Sequence, residues 1–183
     1  SLMVYLKPFH SKVFWKNLEL PDPKYNLGVG SGTHAEQVGK MMMAIEPVLI
    51  AEKPDFVAVY ADLNSSIAGA LAAAKLNIPI IQLEAGLRSF DRSMPEEINR
   101  LVVDRLAKYY FAPTELQRQH LLNDGVVDGV FVVGNLIADA ISENLPKAAA
   151  QSSILSRLNI SPKNYFLITV HRPAAVDHKE VFS

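Results

Sequence analysis

IPIIQLEAGLRSFDRSMPEEINR, residues 78–100, decides how the chain is read. Its first six residues, Ile78-Pro79-Ile80-Ile81-Gln82-Leu83, have the length and apolar content of a strand buried in a parallel sheet. Directly behind them come Glu84, Arg88, Asp91, Arg92, Glu96, Glu97 and Arg100, a dense mix of carboxylates and guanidiniums with little apolar content between them. Open α/β sheets hold their ligands outside the carboxyl ends of the strands. The segment therefore reads as an active-site loop suited to an anionic ligand and to acid–base work.

The same strand–loop–helix unit repeats on both sides. Upstream, Phe56–Tyr60 is a β-rich run that ends in Ala61-Asp62-Leu63-Asn64, and an Ala-rich helix follows over Ser65–Leu76. Asp62 either caps that helix or is released for chemistry, because Asn64 and Ser65 are better placed to cap; both readings stand at this point. Before it, Thr33–Ala51 is an amphipathic helix with Thr33 as N-cap and Glu36 as its reciprocal partner. Val38, Met41, Met42, Ile45, Val48 and Leu49 form its core stripe, and the methionines there read as core filler.

Downstream, Ser93-x-x-Glu96 has the pattern of a capping box and Pro95 suits a first helical turn, opening a helix over Met94–Ala107. Glu96 then reads two ways. It is a cap with Arg100 as its i,i+4 partner, or a working carboxylate beside Glu84 at a helix N-terminus that attracts anions. Lys108–Ala112 is a further strand, Pro113-Thr114 opens a helix to Asn123, and Val130–Val133 is a fourth strand followed by a helix over Leu136–Leu145. Residues 146–153 read as linker, Ile154–Leu158 as a short helix, and Tyr165–Val170 as a strand delivering His171-Arg172. Alternating strands and helices predict an α/β fold with a parallel, doubly wound sheet. The expected domains are 1–145, a linker with a short helix at 146–164, and the first strand of a second domain at 165–183.

Composition narrows the function. With 18 Lys and Arg against 19 Asp and Glu the net charge is −1, which gives no electrostatic case for nucleic acid or an anionic membrane surface. The sequence has no cysteine, so disulfides and thiolate metal sites are excluded. No run approaches the ~18 apolar residues of a membrane span, and the first residues lack a basic n-region, so a soluble cytoplasmic protein is expected. Gly28, Gly30 and Gly32 read G-x-G-x-G rather than the dinucleotide fingerprint, with no strand expected to lead into them, and no nicotinamide site is expected.

Five stretches carry a likeness to a known family: YNLGVGSGTHAEQVGKMM (25–42), KPDFVAVYADLNSSIAGALAAAKLNIPI (53–80), LEAGLRSFDRSMPEEINR (83–100), FAPTELQRQHLLNDGV (111–126) and VFVVGN (130–135), with TVHR at 169–172. The chain resembles the non-hydrolysing UDP-N-acetylglucosamine 2-epimerases. The resemblance implies two Rossmann-like domains of the glycosyltransferase-B class, of which this chain would supply most of the first without its opening strand and only the start of the second. It implies interconversion of UDP-N-acetylglucosamine and UDP-N-acetylmannosamine by elimination and re-addition of UDP, for cell-surface polysaccharide precursors. Asp62, Glu84, Glu96 and His171 would be catalytic, and Arg88, Arg100 and Arg172 would bind substrate. No metal or cofactor is implied, the partner is a UDP-sugar, and a homodimer is expected.

Two local departures from the family pattern stand out. Gly-Asp-Thr-Asn appears as Ala61-Asp62-Leu63-Asn64, and His-Arg-Arg-Glu-Asn as His171-Arg172-Pro173-Ala174-Ala175. The second removes an arginine, a glutamate and an asparagine together. The alternatives are an inactive fragment or pseudoenzyme that at most binds a UDP-sugar weakly, and a flavodoxin-like binding domain using the charged loop as a contact surface.

Overall fold

A computed structural model of the chain describes residues 4–5 and 21–170. The chain divides into two compact units, residues 1–139 and 140–183. In the first, strands β1 (Val4–Tyr5) and β2 (Tyr25–Asn26) pair in parallel. Strands β3 (Val57–Tyr60), β4 (Ile80–Leu83), β5 (Tyr109–Ala112) and β6 (Val130–Val132) form a second parallel sheet in the order β3-β4-β5-β6. Helices α1 (His34–Glu52), α2 (Asn64–Lys75), α3 (Pro95–Leu106) and α4 (Glu115–Asn123) pack with these strands among the described residues. The α/β class and parallel sheet are as expected. The winding is not double across β3–β6, because sequential neighbours joined by crossovers of one hand place their helices on one face.

That face is the core. Val59, Ile80, Gln82, Tyr110 and Ala112 are buried while their strand neighbours are not, as period-two alternation requires. Ile45 and Leu49 of α1, Ala70, Ala72 and Ala73 of α2 and Val103 of α3 pack with Val59 and Ile80. The alanines let α2 lie close to the sheet: a Cβ on Gly69 would already touch Val59 Cγ1 at 3.5 Å. On the opposite face Phe56, Tyr109, Phe131 and Phe111 make a row of ring contacts.

Several sequence expectations are corrected. Thr33 does cap α1, accepting from Glu36 N at 3.3 Å, but the Glu36 carboxylate pairs with Lys40 instead of reaching back. β2 ends at Asn26, so a short strand does lead into the glycine run, and Asn26 Oδ1 accepts from Gly28 N in an Asx turn. The Ser93–Glu96 capping box does not form. Met94 is the N-cap of α3 and the Ser93 hydroxyl donates to Asp91.

In the second unit and the helix leading into it, α5 (Leu136–Gln151) runs through the expected linker. Pro146 removes one backbone donor, but the Ala- and Lys-containing turn after it favours helix. A short helix α6 (Ile154–Leu158) follows. Tyr165–Val170, expected to be a strand, carries no regular structure and pairs with no described strand; an extended segment needs a neighbour to satisfy its N–H and C=O groups. His171 and Arg172 lie outside the described residues. Among the described residues no helix is long and apolar enough to cross a membrane.

The loop after β4 is clamped by Arg88, and this changes the reading of that residue. Its side chain is 3 % exposed. Nη1 donates to Asp104 Oδ2 at 2.7 Å and to Leu87 O, while Nε and Nη2 donate to Asp124 Oδ2 at 3.1 and 2.6 Å. Arg88 was expected to hold substrate, but its guanidinium is already committed to α3, to the end of α4 and to its own loop. Gly86 completes the clamp. Its N–H donates to Asp104 Oδ2, its φ is +79°, and a Cβ there would lie 2.3 Å from Gln117 O. Burial pushes the Asp104 carboxyl upward even beside the guanidinium, and its Oδ1 has no hydrogen-bond partner among the described residues. Arg88→Met strands a buried carboxylate and is expected to cost about 3–5 kcal/mol in urea denaturation, most of it recovered on adding Asp104→Leu.

Candidate active site

Parallel pairing sets the site. Tyr60 registers with Leu83, and Ala61 N donates to Leu83 O at 3.3 Å, so the chain leaves β3 and β4 at one rim. Asp62 follows the first exit and Glu84 the second. Both turns use a left-handed non-glycine residue, Ala61 at φ +57° and Glu84 at φ +60°. Such conformations cost of order 1–2 kcal/mol per residue and concentrate where a fold holds functional groups.

Asp62 is fixed by α3. Arg100 Nε and Nη2 donate to Asp62 Oδ2 at 2.9 and 2.5 Å, and Asn99 Nδ2 donates to Asp62 O at 2.8 Å. The other arm of Arg100, Nη1, donates to Glu97 Oε2 at 3.0 Å. Glu97, 2 % exposed, also accepts from Ser89 N, Ser89 Oγ and Phe90 N at 2.8, 3.0 and 3.2 Å. Burial alone would raise the Glu97 carboxyl. The Ser89, Arg100 and Phe90 donors outweigh it and hold the group below its ordinary value.

Arg100 thus orients Asp62 together with Glu97, and its expected pairing with Glu96 is not formed. Adjacent helical residues point about 100° apart. Glu97 turns inward, while Glu96 is exposed and its side chain makes no hydrogen bond among the described residues. The structure brings Asp62 and Glu84 to one rim, and Glu96 stands in the first turn of α3, one turn before the arginine that holds Asp62.

Glu84 has a partner that sequence reasoning missed. Tyr60 OH donates to Glu84 Oε1 at 2.8 Å. Burial first, and then this bond to Glu84, push the Tyr60 phenol up to about 12. Glu97 was missed as well, although its i,i+3 spacing to Arg100 was as good a signal as the i,i+4 spacing of Glu96. Asn64 was read as a possible cap. In fact Leu63 is the N-cap of α2, with no side-chain hydrogen bond. Asn64 donates to Gln37 Oε1 at 2.9 Å, lies against His34 Nδ1, and accepts from Asn99 Nδ2 at 3.3 Å.

Asn64, His34 and Asn99 border an open cleft of about 480 Å³, whose lining does not include Asp62, Glu84 or Glu96. His34, Asn64 and Pro95, the first residues of α1, α2 and α3, all line it, together with Arg92 and Asn99. Three helix N-termini and a guanidinium make it favourable to negative charge. Among the described residues no group of three or more His, Asp and Glu is placed to hold a metal ion.

The Glu97 cluster has a pH signature. A carboxyl whose pKa is lower folded than unfolded adds stability above its unfolded value, near 4.5, and loses it as pH falls through the folded value. Glu97→Gln should therefore lower the melting temperature at neutral pH, and the gap to wild type should close as pH falls below about 4.5. Melting curves across the acid range check this.

The sequence profile described as UDP-N-acetylglucosamine 2-epimerase matches residues 5–183. The chain is 51% identical over 172 residues to a UDP-N-acetylglucosamine 2-epimerase of Methanocaldococcus jannaschii, covering 92% of this chain and 47% of that protein. It is 39% identical over 170 residues to a UDP-2,3-diacetamido-2,3-dideoxy-D-glucuronate 2-epimerase of Pseudomonas aeruginosa, covering 91% and 47%. The crystal structure of a Methanocaldococcus jannaschii UDP-GlcNAc 2-epimerase in complex with UDP-GlcNAc and UDP superposes with a TM-score of 0.86 at 50% identity, covering 94% of this chain and 49% of that one. The chain spans about half the length of these relatives. A profile match over nearly every residue, joined to the same parallel fold, makes this chain a member of the UDP-N-acetylglucosamine 2-epimerase family.

Proposed function

We propose that the protein containing this chain interconverts UDP-N-acetylglucosamine and UDP-N-acetylmannosamine by eliminating and re-adding UDP. The hydrogen on carbon 2 of the sugar is not next to a carbonyl, so its direct removal is prohibitively slow. Breaking the anomeric C–O bond at the same time develops oxocarbenium character and acidifies that C–H bond. One carboxylate takes the proton, the electron pair of the C–O bond leaves with UDP, and a glycal remains. UDP then adds back while a carboxylate returns a proton to the other face. Proton transfer of this kind asks for carboxylates held in place and for positive charge near the leaving pyrophosphate.

The observation that carries this reading is Asp62 and Glu84 leaving adjacent strands at one rim, each gripped by its own donor, with Asn99 joining the Asp62 backbone to a cleft lined by three helix N-termini. Asp62, Glu84 and Glu96 take the proton-handling roles. Arg100 positions Asp62, and the family resemblance assigns His171 and Arg172 to the departing pyrophosphate. The relative whose structure holds UDP-GlcNAc and UDP supports a UDP-sugar as the substrate. A cytoplasmic homodimer fits this reading, and the exposed Phe131 and Val132 on the edge strand β6 favour self-association.

The test is incubation of the full-length protein with UDP-N-acetylglucosamine in deuterium oxide. UDP-N-acetylmannosamine should form with deuterium at carbon 2. Asp62→Asn and Glu84→Gln should each lower kcat by on the order of 10²- to 10⁴-fold. Absence of product, or product that keeps its original hydrogen, overturns the proposal.

A further inference from the structure

We infer that Tyr60 is a positioning residue for this reaction: its phenol holds the Glu84 carboxylate by one oxygen and leaves the other to meet the sugar. The inference rests on the epimerase reading and adds a residue to it. Tyr60 is the last residue of β3 and Glu84 the first beyond β4, one step past Leu83, with which Tyr60 registers. The hydroxyl donates to Glu84 Oε1 at 2.8 Å, while Oε2 has no hydrogen-bond partner among the described residues.

Core packing does not account for this tyrosine. It is 41% exposed, and its ring makes none of the aromatic contacts that link Phe56, Tyr109, Phe111 and Phe131. Among the described residues its hydroxyl has one partner, Glu84.

Backbone geometry gives the bond its purpose. Glu84 sits at φ +60°, beside Ala61 at φ +57° on the neighbouring strand end. A side chain on such a backbone is directed by a turn that few L residues adopt. A carboxylate there, with two free χ angles beyond Cβ, would still sample several rotamers. A donor fixed on the adjacent strand removes that freedom, and misplacing a catalytic group by about 1 Å can cost on the order of 10²-fold in rate. The phenol remains a donor over the whole working range because its ionisation is pushed up to about 12.

The experiment compares full-length wild type, Tyr60→Phe, and protein with 3-fluorotyrosine at position 60, which keeps both ring and donor. Tyr60→Phe should lower kcat on the order of 10- to 100-fold with KM and melting temperature little changed, and 3-fluorotyrosine should restore most of the rate. Phenolate absorbance should place the Tyr60 ionisation lower in Glu84→Gln than in wild type. Full activity in Tyr60→Phe, or no rescue by 3-fluorotyrosine, overturns the positioning role while leaving the epimerase reading intact. A wild type that never exchanges hydrogen at carbon 2 overturns both.

Discussion

Arg100 is the cation on which the arrangement of the rim depends. It stands between Asp62, at the end of β3, and Glu97, in its own helix, and donates to both. Two carboxylates drawn this close to one partly buried point would repel each other and resist losing water. The guanidinium makes their approach favourable because its fork satisfies both at once. Through Glu97 the same link reaches Ser89 and Phe90, so one side chain ties a strand end, a helix and the loop between β4 and α3. Asn99, one residue earlier, holds the backbone of Asp62.

Sheet geometry explains why Asp62 and Glu84 leave one rim although they lie 22 residues apart. Parallel strands of similar length all finish at one edge, so each loop opens in the same direction. Arg88 fixes the second loop from behind by joining Asp104 and Asp124, and Gly86 lets it pass against α4. Support for the rim thus comes from two guanidiniums, Arg88 buried and Arg100 partly buried. Both are engaged in ion pairs within the protein, whereas Arg92 lines the open cleft beside the helix N-termini.

The sequence made the strands, the helices and the rim positions of Asp62 and Glu84 legible, because each rests on local periodicity or on a strand's end. What it hid were choices between near-equals. Glu96 and Glu97 both have helical spacing to Arg100, and only the facing of α3 toward the sheet decides for Glu97. Arg88 looks from its letters like any cation in a charged loop. Its partners Asp104 and Asp124 lie 16 and 36 residues away, beyond the reach of local spacing. Tyr60 was counted as one more β-former, since nothing nearby in sequence pairs with a phenol. Tyr165–Val170 failed for the opposite reason: its β propensity was plain, but a strand exists only where a neighbour completes it.

The departure from the family's Gly-Asp-Thr-Asn pattern at the end of β3 changes two residues that bear on the same rim. Alanine where the family has glycine leaves Ala61 in a left-handed turn at a cost that glycine avoids, and leucine in place of threonine leaves α2 without a side-chain cap. Both would loosen the exit from β3. The contacts gathered around that exit act in the other direction: Arg100 and Asn99 on Asp62, Ser66 Oγ on Tyr60 O, and Tyr60 on Glu84. A strained turn persists only when its surroundings over-determine it. An uncapped α2 also leaves amide donors of its first turn without a side-chain acceptor at the cleft wall. An anionic ligand is the group whose binding would make use of them.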